Sequence, residues 1–147
     1  MKRLVLAAAI AVVALQQPVA AMAKGRCYSQ AAMEADQAIR YLTDLMVVSS
    51  SCRDMIYGEF RARNQVAIRD YQHTLIEHYH GTKGFDDWNT VLANEFSMQR
   101  SSLPTATMCQ QAAAMLQKAS KLDLAGFRAF AAGLATAASA QYEKCRR

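Results

Sequence analysis

Residues that interrupt regular secondary structure are scarce in this sequence. The 147 residues include only two prolines and six glycines, a composition that excludes a disordered tail. The longest unbroken apolar run is the twelve residues 4–15, whereas a transmembrane helix needs roughly 20. No alternating pattern of apolar and polar residues competes with the helical spacing that follows. The sequence therefore predicts a helical protein without a membrane span, and not a β-sheet protein.

The first 23 residues have the three parts of a secretory signal peptide. Lys2 and Arg3 form the positive region, residues 4–15 form the apolar centre, and residues 21–23 (Ala-Met-Ala) have the small-x-small pattern of a cleavage site. We predict cleavage after residue 23, which leaves residues 24–147 as the exported helical domain. Loss of Lys2 and Arg3 lowers the formal net charge from +5 to +3. The expected location is the bacterial periplasm or the outside of the cell.

Four cysteines, Cys27, Cys52, Cys109 and Cys145, all lie in the predicted exported part. An even number in an exported chain favours disulfides over free thiols. No spacing gives C-x-x-C or C-x-x-C-H, so a thioredoxin-like site, a zinc ribbon and a covalently attached haem are not expected. Four cysteines allow three connectivities. We favour Cys27–Cys145 with Cys52–Cys109, because the first pair joins the two ends of the exported chain and the second joins two inner boundaries.

Apolar residues recur at spacings of three and four along the rest of the chain. The pattern predicts helices over about 29–51, 54–79, 86–102, 104–120 and 123–142. Gly81 and Gly84 are expected to end the second helix, and the alanine-rich last two helices are expected to form a closely packed hairpin. The fold prediction is all-α: a single-domain four- or five-helix bundle stapled by two disulfides.

Three charged residues of the first helix, Asp36, Arg40 and Asp44, follow one another at intervals of four. Side chains at this spacing are neighbours on a helix surface. We expect the two pairs to support the solvent-exposed face of the helix.

All three histidines lie near the end of the second helix. His73, Glu77 and His80 fall at i, i+4 and i+7, so one helix face could present two imidazoles and a carboxylate, which are zinc-type ligands. The H-x-x-E-H pattern of zinc proteases does not fit, and Glu77-x-x-His80 lacks the second E-x-x-H element of di-iron bundles. The alternative is a solvated helix end, where cationic histidines favour the helix dipole. We favour this alternative, assign no catalytic residue and no cofactor, and keep the three residues as candidate metal ligands.

A set of aromatic residues brackets the glycines at positions 81 and 84: Tyr57, Tyr71, Tyr79, Phe85 and Trp88. Aromatic side chains near a loop are able to form the rim of a binding site. We favour a buried contact between the second and third helices and keep the binding rim as the alternative.

Catalytic and nucleic-acid-binding signatures are absent from the sequence. It has no G-x-S-x-G or S-x-x-K motif, no glutamate in a glycosidase context, and basic residues interleaved with acids. We expect a non-enzymatic binding or interaction module of the cell envelope, with a protein or envelope component as partner and no nucleic acid. The alternative is a metal-binding or hydrolytic protein that uses the face of His73, Glu77 and His80.

The segment from Cys27 to Cys52 carries Leu45-Met46-Val47 shortly before its second cysteine. It resembles a group of small secreted bacterial proteins of unassigned function, in which cysteines bracket the first helix. The resemblance implies an all-α, disulfide-stapled exported domain and assigns no activity or site. The four-cysteine helical layout is also similar to that of periplasmic immunity proteins that neutralise cell-wall hydrolases, so an immunity-type inhibitor is a further alternative.

Overall fold

A computed structural model describes residues 27–145, which form a five-helix bundle. The helices are α1 Gln30–Cys52, α2 Ile56–His78, α3 Thr82–Ser101, α4 Thr105–Lys121 and α5 Leu124–Ala137, followed by the 3-10 turn Ser139–Gln141. The all-α prediction is confirmed, since no strand occurs within 27–145. None of the described helices is long and apolar enough to cross a membrane. The predicted signal peptide lies outside the described residues.

Helix α1 is the centre of the bundle and packs against each of the other four helices. Eleven of its 23 residues are buried, including neighbouring pairs such as Ala35-Asp36 and Leu42-Thr43. A helix buried on several faces lies inside a fold rather than on its surface. It begins as the sequence predicts, because the Ser29 hydroxyl accepts a hydrogen bond of 3.1 Å from the backbone N–H of Ala32.

Aromatic side chains hold α5 against α1 and α2. Phe60 of α2 and Phe127 of α5 are fully buried and meet edge to face, with ring centroids 4.8 Å apart. Tyr71 meets Phe127 in the same manner at 5.7 Å, and Tyr41 of α1 meets Phe130 at 4.9 Å. Such edge-to-face pairs stabilise a core beyond the area they bury.

Both favoured disulfides are present. Cys27–Cys145 joins residues 118 positions apart, and Cys52–Cys109 joins residues 57 positions apart. The first ties the segment before α1 to the chain end, and the second ties the end of α1 to α4. Two disulfides are typical of a protein that folds in an oxidising, extracellular compartment.

Helix α3 begins at Thr82, four residues before the predicted start, so the prediction that both glycines end α2 is wrong for Gly84. Gly81 alone interrupts the helices, with a φ of 126° that favours glycine. Gly84 lies within α3, and a Cβ placed on it would lie 2.2 Å from the carbonyl oxygen of Tyr79. Gly84 therefore allows the end of α2 to approach the first turn of α3.

Helix α5 ends at Ala137, five residues before the predicted end. Beyond it the chain turns back, so that Tyr142 contacts α1 and Cys145 reaches Cys27. These tertiary bonds override the strong helix propensity of the alanines.

The expected hairpin of α4 and α5 is also wrong. The two alanine-rich helices pack mainly against α1 and α2 rather than along each other. Their small side chains allow a close approach to the central helix pair, with four alanines fully or nearly fully buried there: Ala112, Ala119, Ala131 and Ala135.

Candidate functional site

The buried carboxylate of Asp36 is the centre of a polar network between α1 and the chain end. Its Oδ2 accepts hydrogen bonds from Nε of Arg40 at 2.7 Å and from the hydroxyl of Tyr142 at 2.5 Å. The Gln37 side-chain amide donates to the same hydroxyl at 2.6 Å. We call these four residues the Asp36 network. Since Asp36 is completely buried, these bonds compensate for the cost of removing its carboxylate from water.

The network corrects the expectation that Asp36, Arg40 and Asp44 support a solvent-exposed face. Arg40 does pair with Asp36, but the acid is buried because α1 is covered on several sides. Asp44 pairs with Arg100 of α3 in a two-bond contact, Nε to Oδ1 at 2.8 Å and Nη2 to Oδ2 at 2.5 Å. Of the two pairs that the i,i+4 spacing predicts, Asp36–Arg40 is therefore formed and Arg40–Asp44 is not.

Five rings form an aromatic layer next to the Asp36 network. The hydroxyls of Tyr28 and Tyr79 lie 2.9 Å apart and share a hydrogen bond. The Tyr28 ring centroid lies 4.1 Å from that of His78 and 4.7 Å from that of Tyr142. Tyr79 stacks on Trp88 at 5.3 Å. The layer joins both ends of the described part of the chain to the α2–α3 connection.

The predicted aromatic contact between the second and third helices is formed by three of its five members. Tyr79 stacks on Trp88, and Phe85 lies beside Trp88 with ring centroids 5.9 Å apart. Tyr71 instead packs against the core, and Tyr57 lies in a separate groove. Periodicity placed Tyr57, Tyr71 and Tyr79 on the second helix but did not distinguish the sides of that helix on which they lie.

The environment keeps Tyr142 and Arg40 each in one ionisation state near neutral pH. Burial raises the pKa of Tyr142, and its hydrogen bond to Asp36 raises it further. Burial lowers the pKa of Arg40, but the attraction of Asp36 more than offsets this, so the pKa is raised overall. Tyr142 therefore remains a protonated donor and Arg40 a cation.

An open cleft of about 430 Å³ borders the network. Its lining residues come from α1, α3, α5 and the segment after α5: Gln37, Arg40, Tyr41, Asp44, Phe96, Leu134, Gln141 and Tyr142. We call it the Arg40 cleft. Helix α1 supplies the charged wall, whereas Phe96 and Leu134 supply apolar surface. Apolar walls with a few fixed polar groups are the usual composition of a ligand site.

No protein-family model, no curated protein and no solved structure matches this chain. The assignment of the site therefore rests on geometry.

The candidate metal ligands lie elsewhere, on the exposed surface of α2. Nδ1 of His73 lies 3.5 Å from Oε1 of Glu77, and their side chains are 75% and 70% exposed. His80 follows the helix end in a left-handed conformation, with a φ of 62°. Within residues 27–145, no three His, Cys, Asp or Glu side chains converge as a metal site would require. The structure brings His73 and Glu77 together and does not add a third ligand.

A second, larger groove of about 570 Å³ lies on α2 and is bordered by Arg61, Gln65 and Arg69. We call it the Arg61 groove. Neither arginine forms an ion pair with a described residue, and all three side chains are exposed. No network like that of Asp36 lies there among the described residues, so this groove is a suitable control surface for experiments on the Arg40 cleft.

Sequence reasoning did not find the Arg40 cleft. The sequence patterns placed Arg40 on the solvent-exposed face of the first helix and Tyr142 at the end of the last helix. One signal was present: Asp36 lies three residues from both Met33 and Ile39, so an acid occupies an apolar stripe of α1. An acid at such a position needs a partner that neutralises it, and the spacing alone does not name the partner.

Proposed function

We propose that this protein is an exported helical binding module of the cell envelope, which holds a ligand or partner in the Arg40 cleft and catalyses no reaction. The observation that carries the proposal is the combination of a concave surface with a buried network that fixes its polar wall. Asp36 holds both Arg40 and Tyr142, so these side chains do not have to be ordered when a ligand binds. Preorganised groups of this kind lower the entropic cost of binding.

The ionisation states support recognition rather than proton transfer. Burial and the hydrogen bond to Asp36 raise the pKa of Tyr142, so its hydroxyl keeps its proton near neutral pH and is a poor acid for catalysis. Arg40 keeps its charge at all physiological pH values. Both side chains are suited to hold a bound group by hydrogen bonds.

Two disulfides support export into an oxidising compartment, and the predicted signal peptide supports the same route. We place the protein in the bacterial periplasm or outside the cell. Mass spectrometry of the protein from periplasmic and culture fractions tests this: the expected species begins at Lys24. Recovery of the intact chain, with Met1, from the cytoplasm alone would contradict the proposal.

Binding in the cleft is testable by NMR on isotopically labelled, disulfide-bonded protein titrated with small anionic, cationic and neutral aromatic fragments. We expect at least one fragment to shift the side-chain amide signals of Gln37 and Gln141. The exposed Gln141 is well placed for a blocking substitution, so Gln141→Trp should abolish the shifts of the Gln37 amide signals. Gln65→Trp, the matched change in the Arg61 groove, should leave them intact. The binding function is rejected when no fragment perturbs the cleft, or when Gln141→Trp has no effect.

A further inference from the structure

We propose that the ligand of the Arg40 cleft carries a carboxylate, which accepts two parallel hydrogen bonds from Nη1 and Nη2 of Arg40. This inference rests on the proposed binding function and deepens it by naming the chemistry of the ligand. It begins from the guanidinium of Arg40, a cationic donor group at the cleft whose hydrogen-bonding capacity is only partly used by the described residues.

The Arg40 guanidinium uses only one of its three nitrogens within the described part of the chain. Nε donates to Asp36 at 2.7 Å, and no described residue accepts a hydrogen bond from Nη1 or Nη2. The side chain is 37% exposed and lines the cleft. A guanidinium presents its two terminal nitrogens as a planar fork, which matches the two oxygens of a carboxylate.

Two contacts fix the plane of that fork. Asp36 holds Nε from inside the bundle, and the Trp88 ring lies against the guanidinium, with its centroid 5.8 Å from Cζ. A cation held over an aromatic face loses less freedom when it binds a further anion. Arg40 is therefore positioned by α1 and α3 before any ligand arrives.

The hydrogen-bonding groups of the cleft favour an anion at Arg40, because Nη1 and Nη2 keep free donors among the described residues after both acids have formed their arginine pairs. The acid in the lining, Asp44, accepts two hydrogen bonds from Arg100, which offsets its charge. Asp36 lies behind Arg40 and away from solvent. A cationic ligand would need an unpaired carboxylate, and both acids near the cleft already have arginine partners.

The rest of the ligand faces apolar surface. Phe96, Leu134 and the ring of Tyr41 line the cleft together with Arg40. A flat apolar or aromatic body beside the carboxylate matches this lining. Such a group is found either in a free aromatic carboxylic acid or at the C-terminus of a peptide that ends in an apolar residue.

Calorimetric titration with paired probes tests the inference. N-acetyl-phenylalanine and N-acetyl-phenylalaninamide share one body and differ in the carboxylate, and we expect the acid to bind at least about tenfold more tightly. Phenylacetate and the peptide Gly-Gly-Phe then distinguish the two sources. Tighter binding of the peptide supports a peptide C-terminus, and tighter binding of phenylacetate supports a free acid.

Arg40→Lys supplies the matched variant, because lysine keeps a positive charge near Asp36 and removes the planar fork. We expect the affinity for the acid to fall about tenfold while the affinity for the amide is unchanged, and Arg61→Lys to alter neither. Circular dichroism confirms the fold of each variant, and the acid–amide comparison on the unaltered protein decides the matter if Arg40→Lys does not fold.

Equal affinities for acid and amide, both abolished by Gln141→Trp, would overturn the carboxylate inference and leave the cleft as a binding site. Failure of every probe to respond to Gln141→Trp would overturn the binding function itself.

Discussion

The hydroxyl of Tyr142 donates a hydrogen bond to the buried Oδ2 of Asp36, 106 residues earlier in the chain. This bond joins the segment after α5 to the central helix. Two further contacts hold the same segment after Tyr142. The Tyr28 N–H donates a hydrogen bond of 2.7 Å to the Glu143 carbonyl, and Cys145 forms a disulfide with Cys27. One wall of the Arg40 cleft is therefore built by the C-terminal segment, and its position depends on contacts that are distant in sequence.

Tyr142→Phe tests the energetic weight of this bond. The substitution keeps the ring against Tyr28 but removes one of two donors to Asp36 and the acceptor of the Gln37 amide. We expect the free energy of unfolding to fall by about 1–3 kcal/mol, measured by urea denaturation with both disulfides intact. Tyr57→Phe is the control, because no described residue is hydrogen-bonded to its hydroxyl, and it should change stability by less than about 0.5 kcal/mol. Equal effects of the two substitutions would show that the bond contributes nothing specific.

Two glycines within helices should respond to alanine in opposite directions. In Gly84→Ala, the new Cβ would lie 2.2 Å from the Tyr79 carbonyl oxygen, so the backbone has to shift. We expect a loss of about 1–3 kcal/mol. In Gly58→Ala nothing lies within 4 Å of the Cβ, and the better helix propensity should add about 0.5–1 kcal/mol. Thermal unfolding compares the two variants, and a stabilising Gly84→Ala would contradict the close approach of α2 and α3.

The two disulfides should differ in how readily they are reduced. Cys145 is exposed, whereas both Cys52 and Cys109 are partly buried beside the packed side chains of Val48 and Met108. Because reduction requires access by a thiolate, we expect Cys27–Cys145 to open first. Limited reduction, alkylation and peptide mass spectrometry determine the order. Reduction of both disulfides at the same time, or of Cys52–Cys109 first, would contradict the expectation that exposure controls the order.

Removing the Cys27–Cys145 bridge should also weaken the cleft. The double variant Cys27→Ser with Cys145→Ser releases a loop of 118 residues, and its unfolding free energy should fall by roughly 3–5 kcal/mol. Since Tyr142 lies three residues before Cys145, fragment shifts at Gln37 should decrease in this variant. Cys52→Ser with Cys109→Ser is the matched control: it should lower stability by a similar amount but retain the shifts.

Stability should decline in alkaline solution because of buried tyrosines. Burial raises the pKa of Tyr41 to about 12, and it is the largest cause of raised pKa values at four further tyrosines: Tyr28, Tyr71, Tyr79 and Tyr142. The pKa of a tyrosine in the unfolded chain is about 10. A tyrosine whose pKa is higher in the folded protein contributes fully to stability below about pH 10, and this contribution is lost as the pH rises through its folded pKa. We expect the unfolding free energy to fall from about pH 10 upward. Urea denaturation at several pH values measures this decline in unfolding free energy, which should be shallower in Tyr41→Phe. The same decline with pH in both proteins would contradict a contribution from the raised pKa of Tyr41.

Much of the architecture followed from local patterns. Ser29 caps α1 because its hydroxyl is a good acceptor for an unpaired helix N–H, and Asp123 caps α5 in the same way. The even number of cysteines near chain ends and helix boundaries indicated the correct bridges. These features depend on residues close in sequence or on the few connectivities that four cysteines allow, so they were accessible without coordinates.

The cleft was not accessible in this way. Helical periodicity identifies an apolar face, but it does not reveal that α1 is central and that its polar side is covered as well. For that reason the sequence predicted a solvent-exposed Asp36, a pair of Asp44 with Arg40, and a helical Tyr142. Each was settled by long-range contacts, with Arg100 and the C-terminal segment placed against α1. Sequence alone was sufficient for the helices, because their hydrogen bonds join residues close in sequence, and for the disulfides, because four cysteines allow only three connectivities. The partners of Asp36 and Asp44 required the tertiary structure, because they depend on how the helices pack.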